Sequence, residues 1–246
     1  MSNWDKPRRE KMEDNLAFHM TTISQAANIA VFGLKSRNIM RHVLPATEHT
    51  LANLDVVGRR MDLAIFGRSI CDYVPLYWIY RTPMQYASTV GDGRRIRNED
   101  VVFFVFNVGK LMGLPVVTSD GNATSRETCF YPGWGAWEHL DWKALNYDGP
   151  CREEYKRLKH AEILIEDQVP YHFAQAINVY STGAKEKLKT EIESSVATLR
   201  QAETRIRDNP DDPFASLGAM ISESLQAYDV YGPVNIIVDP GKYFVQ

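Results

Sequence analysis

One carboxylate constrains this chain more than any other side chain. In Leu158-Lys-His-Ala-Glu-Ile-Leu-Ile-Glu-Asp-Gln-Val-Pro170, Glu162 stands near the start of the apolar run formed by Ala161, Ile163, Leu164 and Ile165. A short, β-branched run with polar flanks predicts a buried strand. A charge placed there is costly unless something pairs with it or uses it. The fold must therefore supply Glu162 with a partner, or bring its head to water at a strand edge.

The rest of the chain reads as a mixed α/β protein. Thr21 or Thr22 is placed to cap a helix running to about Phe32, with Gly33 as its stop. Residues 39–70 show no clean period and read as loop with short helix. Tyr73 to Ile79 alternates and is aromatic-rich, a strand despite Pro75. Val101-Val-Phe-Phe-Val-Phe106 gives the strongest strand signal. Residues 107–157 hold turn dipeptides in aromatic-rich loop, and strands follow at about 161–166 and 176–180. Ile192, Val196, Leu199 and Ile206 then recur at helical spacing. Asn209-Pro-Asp-Asp-Pro213 breaks that helix, with Asp212 as the expected cap of a second one and Pro213 at its first position. The second helix carries Leu217, Ile221, Leu225 and Tyr228, and Val234–Val238 returns to strand. The expected architecture is one domain over 1–246: a mixed sheet core, flanking helices and a C-terminal helical hairpin inserted at about 191–231.

Composition narrows the class. A net charge of −3 provides no global positive field, so a nucleic-acid partner would have to be held by a local patch. Cys71, Cys129 and Cys151 lack metal-type spacing, and their odd count argues against a disulfide framework. His42, His49, His139 and His172 also lack ligand spacing, so no metal is assigned. The charged N-terminal residues do not form a signal peptide, and no run reaches transmembrane length. The expected location is the cytoplasm.

Several segments occur in an order that resembles a known family. They are Phe18-His19, Gly33-Leu34 with Ser36-Arg-Asn38, Gly58-Arg-Arg60, and Asp72-Tyr-Val-Pro-Leu-Tyr-Trp78 with Thr82-Pro-Met84. Asn98-Glu99, Asp141-Trp142, the segment ending at Glu162, and Gly241-Lys-Tyr-Phe244 follow. Together they resemble the DarT-type ADP-ribosyltransferase toxins. The resemblance implies an ADP-ribosyltransferase-like fold, NAD as substrate, no metal, and transfer of ADP-ribose to a base of single-stranded nucleic acid. DNA stands ahead of RNA, and a cognate antitoxin protein is the implied partner. Two other readings are a catalytically silent relative acting as a binding module, and a transferase that modifies proteins. Retention of His19, Arg60, Tyr73 and Glu162 together argues against the silent relative. The chain departs from the family at Asn122, where a histidine is usual after T-D-[SG], and at His160, where Q-A-E is usual.

The resemblance assigns catalysis to Glu162 and Arg60. Breaking the nicotinamide–ribose bond builds positive charge on the sugar, as in glycoside hydrolysis, and a fixed carboxylate stabilises it. The guanidinium of Arg60 suits a phosphate of NAD, although Arg59 stands beside it. His19 and Thr21 are implied on the NAD ribose, and Tyr73 and Tyr77 share one strand face that suits nicotinamide stacking or plain core packing. Arg94, Arg95 and Arg97 form a basic loop that fits a phosphodiester strand or, with Asp92, Glu99 and Asp100 around it, a solvated loop. Asn122 and His160 are implied on the acceptor side. The rings of Phe130, Tyr131, Trp134, Trp137 and Trp142 fit base stacking or the cover of a core edge. Glu166-Asp167 reads as a turn with solvated acids.

Overall fold

The computed structural model describes residues 10–43, 54–91, 96–149, 152–209, 211–212 and 214–244. Strand β1 (Leu16–Thr22) leads into helix α1 (Ile23–Phe32), strand β2 (Leu34–Lys35), and helices α2 (Arg37–Val43) and α3 (Leu54–Met61). The short strands β3 (Ala64–Ile65) and β4 (Arg68–Ser69) form a hairpin ahead of β5 (Tyr73–Tyr77) and α4 (Pro83–Thr89). Next come β6 (Val101–Asn107), α5 (Val108–Leu111), β7 (Val116–Ser119), β8 (Phe130–Pro132), and the single turns α6 (Trp142–Leu145) and α7 (Glu153–Lys156). Then follow β9 (Glu162–Glu166), β10 (Gln168–Val169), β11 (Ala174–Val179), the long α8 (Thr182–Asp208), α9 (Gly218–Tyr231) and β12 (Ile236–Val238).

Local chemistry fixes many of these boundaries. Thr22, not Thr21, caps α1 by accepting from Gln25 N, and Gly33 ends it at φ +75°, where a side chain would be strained. Thr82 caps α4 with Pro83 at its first position, so Thr82-Pro-Met84 is a helix start.

Eight strands form one sheet in the order β12-β11-β6-β1-β5-β9-β7-β8, and β11–β12 is its parallel pair. β1 pairs with β6 along its whole length, but with β5 only at Phe18 opposite Tyr77. The sheet therefore parts into two leaves joined at that point. Pro75, without an N–H, occupies the β5 edge where β1 draws away. On one face the main core packs Leu76, Trp78, Phe104, Phe106, Ile163 and Ile177 against α1, α8 and neighbouring loops. Phe18, Phe103 and Tyr243 pack in a second cluster, and Ile65, Tyr73, Val117, Ala123 and Leu164 in a third.

Three sequence-based expectations need correction. The hairpin begins earlier than 191, because Ser181 caps α8 by accepting from Ala184 N. Asp212 does not cap the second helix: it accepts from Arg205 Nε and Phe214 N, and α9 starts at Gly218 after a 3-10 turn. Pro213 lies outside the described residues. Glu166 and Asp167 are not simply solvated, since Arg68 pairs with both. The aromatic cluster divides. Trp134, Trp137 and Trp142 close around the buried Trp78 as core, while Tyr131 stacks on His139 at 4.5 Å.

Tyr171 ties the end of α9 to the core. Its hydroxyl donates to Gly232 O at 2.5 Å and accepts from Val234 N at 2.6 Å. Tyr171→Phe strips both backbone groups of their partner, with an expected loss of about 1–3 kcal/mol in a urea unfolding experiment.

Candidate functional site

The site lies where β5 and β9 run side by side, next to the parting of the sheet. Pairing sets Tyr77 opposite Glu162, and Tyr73 opposite Glu166. Side chains alternate along a strand, so Glu162, Leu164 and Glu166 share one face of β9. Glu162 is only 1% exposed. Its charge is met by the guanidinium of Arg60, from the end of α3: Nη1 donates to Oε1 at 2.9 Å and Nη2 to Oε2 at 3.0 Å. The backbone N–H of Ala123 donates to Oε1 at 3.1 Å. This is a forked, charge-assisted pair with a third donor, the arrangement that makes a buried carboxylate tolerable. Burial opposes the charge on Arg60, but the field and hydrogen bonds of Glu162 outweigh it and hold the guanidinium protonated. Arg59 is exposed on the same helix, which resolves the ambiguity between the two arginines in favour of Arg60 as the partner of Glu162.

The loop that supplies the Ala123 N–H is itself built on β9. Ser119 Oγ accepts from Glu162 N at 3.1 Å and donates to Gly121 O at 2.8 Å. Asn122 N donates to Arg157 O, and Arg157 pairs with Asp120 at 3.0 Å. Gly121 lets Arg157 approach closely: an added Cβ would lie 2.5 Å from Arg157 Nη1 and would push that side chain aside. Ser119, Gly121 and Ala123 are not identified by the sequence reading. A backbone donor has no side-chain signature, and Ser119 stands in an ordinary strand end.

Of the residues read as functional, Arg60, Glu162, Tyr77 and His160 are brought together. Tyr77 and His160 meet edge to face at 6.3 Å. Burial pushes the Tyr77 phenol well up, and the Glu162 charge adds to that. Tyr73 is not beside Glu162; it lies at the far end of the strand pair, buried, with the Arg68 guanidinium 5.7 Å from its ring centre. His19 bonds Pro75 O through Nδ1 at 3.0 Å, bridging the parted strands. Thr21 is buried and donates to Gln25 Oε1. Asn122 Oδ1 accepts from Thr124 N and Oγ1, at 2.9 and 2.8 Å. Arg97 is exposed and paired with Asp100, while Arg94 and Arg95 lie outside the described residues. Among the described residues no group of His, Cys, Asp and Glu is arranged to hold a metal ion, and no helix is long and apolar enough to cross a membrane.

Residues 18–210 match the sequence profile of a family described as "ssDNA thymidine ADP-ribosyltransferase, DarT". A DNA ADP-ribosyl transferase of Thermus sp. (strain 2.9) is 24% identical over 191 residues, covering 74% of this chain and 88% of that protein. A DNA ADP-ribosyl transferase of Thermus aquaticus is 28% identical over 131 residues, 51% of this chain and 55% of its own length. Thermus sp. 2.9 DarT in complex with ADP-ribosylated ssDNA superimposes with a TM-score of 0.66 at 20% identity, over 94% of this chain and 96% of that one. Thermosipho africanus DarTG in complex with ADP-ribose gives a TM-score of 0.67 at 19% identity, over 94% of this chain and 51% of the other. The fold is that of these proteins.

Two measurements probe the geometry. Arg60→Ala leaves Glu162 buried without its partner and is expected to cost about 3–5 kcal/mol, against about 0.5 kcal/mol or less for Arg59→Ala, by chemical denaturation. The second uses pH. Burial pushes the imidazoles of both His19 and His160 down, against the raising effect of their backbone bonds. The unfolded chain then takes up these protons first, so stability is full above about pH 6.5 and falls as pH drops through the folded values. His160→Gln is expected to reduce the loss of denaturation midpoint between about pH 7 and pH 5.5.

Proposed function

Because this chain belongs to the DarT family of ADP-ribosyltransferases, we propose that it transfers ADP-ribose from NAD to a base of single-stranded DNA, releases nicotinamide, and acts as a toxin restrained by a cognate antitoxin. The observation that carries the reading is the buried Glu162, held by Arg60 and the Ala123 N–H beside the parting of the sheet. The family description names single-stranded DNA and thymidine, which makes thymine the first base to test. The Thermus sp. 2.9 protein solved with ADP-ribosylated single-stranded DNA supports DNA over RNA, and its complex with NAD+ supports the donor. The Thermosipho africanus DarTG chain supports an antitoxin partner.

The chemistry follows from the charges. The bond from C1′ to the pyridinium nitrogen breaks, its electron pair neutralises the nicotinamide, and positive charge builds on the ribose. A bond from a base nitrogen to C1′ replaces it, and the base gives up a proton. Glu162 is placed to stabilise the ribose charge and to take that proton or orient the hydroxyl beside it. A carboxylate has roughly four acceptor positions, and the donors from Arg60 and Ala123 use three, so a ribose hydroxyl is accommodated without breaking the fork. The guanidinium fixes the orientation of the Glu162 carboxylate through its two-point fork and is itself suited to a phosphate of NAD. Tyr77 and His160 form the wall against which nicotinamide or the incoming base packs. His19 contributes at the ribose side, with Thr21 and Tyr73 supporting the frame around it. Asn122 faces the acceptor, and the basic loop with Arg94, Arg95 and Arg97 meets the strand's phosphates.

Labelled NAD incubated with separate pools of DNA, RNA and protein tests the reading, with label expected in the DNA pool alone. Glu162→Gln retains shape but loses the charge, and transfer is expected to fall by about a hundredfold or more. Full activity in that variant would reject the mechanism.

A further inference from the structure

The β3–β4 hairpin ends in a two-residue turn, Phe66-Gly67, with both residues in the left-handed region at φ +50° and +81°. A turn of this kind favours Asn-Gly or Gly-Gly, because a bulky side chain at positive φ is strained. Phe66 is nevertheless there and is 62% exposed. Among the described exposed aromatics, Tyr86 packs on Phe244, Phe214 under Arg205, and Tyr231 on His172. Phe66 has no ring partner among the described residues. Solvent-exposed aromatic surface on a strained turn contributes nothing to the core, and strain of this sort gathers at functional positions.

The turn is held in place. Ile65 is buried with Leu164 and Ala123, the residue whose N–H meets Glu162. Arg68, on the other side of the turn, pairs with Glu166 at 2.7 Å and with Asp167, and lies 3.8 Å from Asp72. The chain thus grips β9 twice on one face: Arg60 at Glu162 and, eight positions later, Arg68 at Glu166. Those two acids are four residues apart, about 13 Å along the strand. That is a span of roughly four stacked nucleotides, and of fewer when the strand is extended.

We propose that Phe66 is a stacking platform for a base flanking the one that is modified, on the single-stranded DNA substrate. Arg68 is neutralised by three carboxylates, so this end of the face repels phosphate and offers the strand an aromatic plane instead. Base–aromatic stacking tolerates any sequence, because every base has a π-face. A preformed and rigid turn presents that plane with little ordering cost on binding. The inference rests on the DNA reading given above.

The test uses Phe66→Gly, Phe66→Leu and Phe66→Trp in the full chain. Glycine relieves the positive-φ strain, so its melting temperature is expected to be unchanged or raised. Binding of a fluorescein-labelled, mixed-sequence single-stranded oligodeoxynucleotide is followed by anisotropy, and NAD binding by calorimetry. Phe66→Gly and Phe66→Leu are expected to weaken DNA binding about tenfold, the scale of one lost base stack, with NAD affinity unchanged and Phe66→Trp at or above wild type. An abasic nucleotide at the stacked position in the oligodeoxynucleotide should weaken wild type and leave Phe66→Gly unaffected. Equal DNA affinity and transfer rate in all variants would overturn the proposal, and would point to a protein partner for the turn if an antitoxin then bound Phe66→Gly less tightly. Should Phe66→Gly fail to fold, Phe66→Leu against Phe66→Trp decides alone. Wild-type protein that neither binds nor modifies DNA would instead overturn the DNA reading, and this inference with it.

Discussion

The structure is organised around one buried charge. Glu162 begins the strand that holds the second leaf of the sheet together, and its carboxylate has almost no access to water. Left unpaired, such a group would destabilise the domain by several kcal/mol. Arg60 reaches it from about 100 residues earlier in the chain, and Ala123 from about 40 residues earlier. The pair therefore closes two long loops onto β9, and the same contacts that make the acid tolerable also orient it. A buried ion pair is weak evidence for stability as such, since packed apolar side chains would serve as well. In the proposed mechanism the same pair holds the carboxylate at the reacting sugar.

The sheet beside this pair is incomplete. β1 and β5 touch only where Phe18 meets Tyr77, and beyond that point the strands part. Pro75 removes a donor from the edge that has lost its neighbour, so the opening leaves one fewer backbone group unsatisfied. His19 spans the gap to Pro75 O, a contact that substitutes for a missing ladder bond.

Much of the fold was legible in the sequence because local rules and tertiary packing agreed. The apolar runs at 101–106 and 162–166, the Thr22 and Gly33 boundaries of α1, and the aromatic strand at 73–77 all formed as the residues dictate. The failures occurred where a distant partner decided. Asp212 has the chemistry of a cap, but Arg205 engages it first. Glu166 and Asp167 look solvated until Arg68 arrives from the hairpin. At the candidate site the sequence singles out Glu162, Arg60 and Tyr77, which the fold brings together, whereas the Ala123 N–H and the loop built on Ser119 depend on backbone placement that no residue type announces.

The motif residues themselves divide into two kinds. Most are fasteners that bind one motif to another. Asn38 donates to Asp72 and Asn98 to Phe244 O, the Tyr243 hydroxyl shares its one proton between Val101 O and Asn178 O at 3.0 Å each, and Asp141 caps α6. Their order along the chain marks the fold because, Asp141 apart, each secures a crossing between elements. A smaller set gathers at or near Glu162, and the two departures from the family pattern, Asn122 and His160, stand in the segments that flank it. At Asn122 the side-chain oxygen is already committed to Thr124, so what the residue offers outward is its amide donor. At His160 the ring is fixed by Lys156 O and held neutral by burial, which leaves it one further hydrogen-bonding nitrogen. The Arg60 fork and the Ala123 N–H that hold the Glu162 carboxylate involve neither of these side chains.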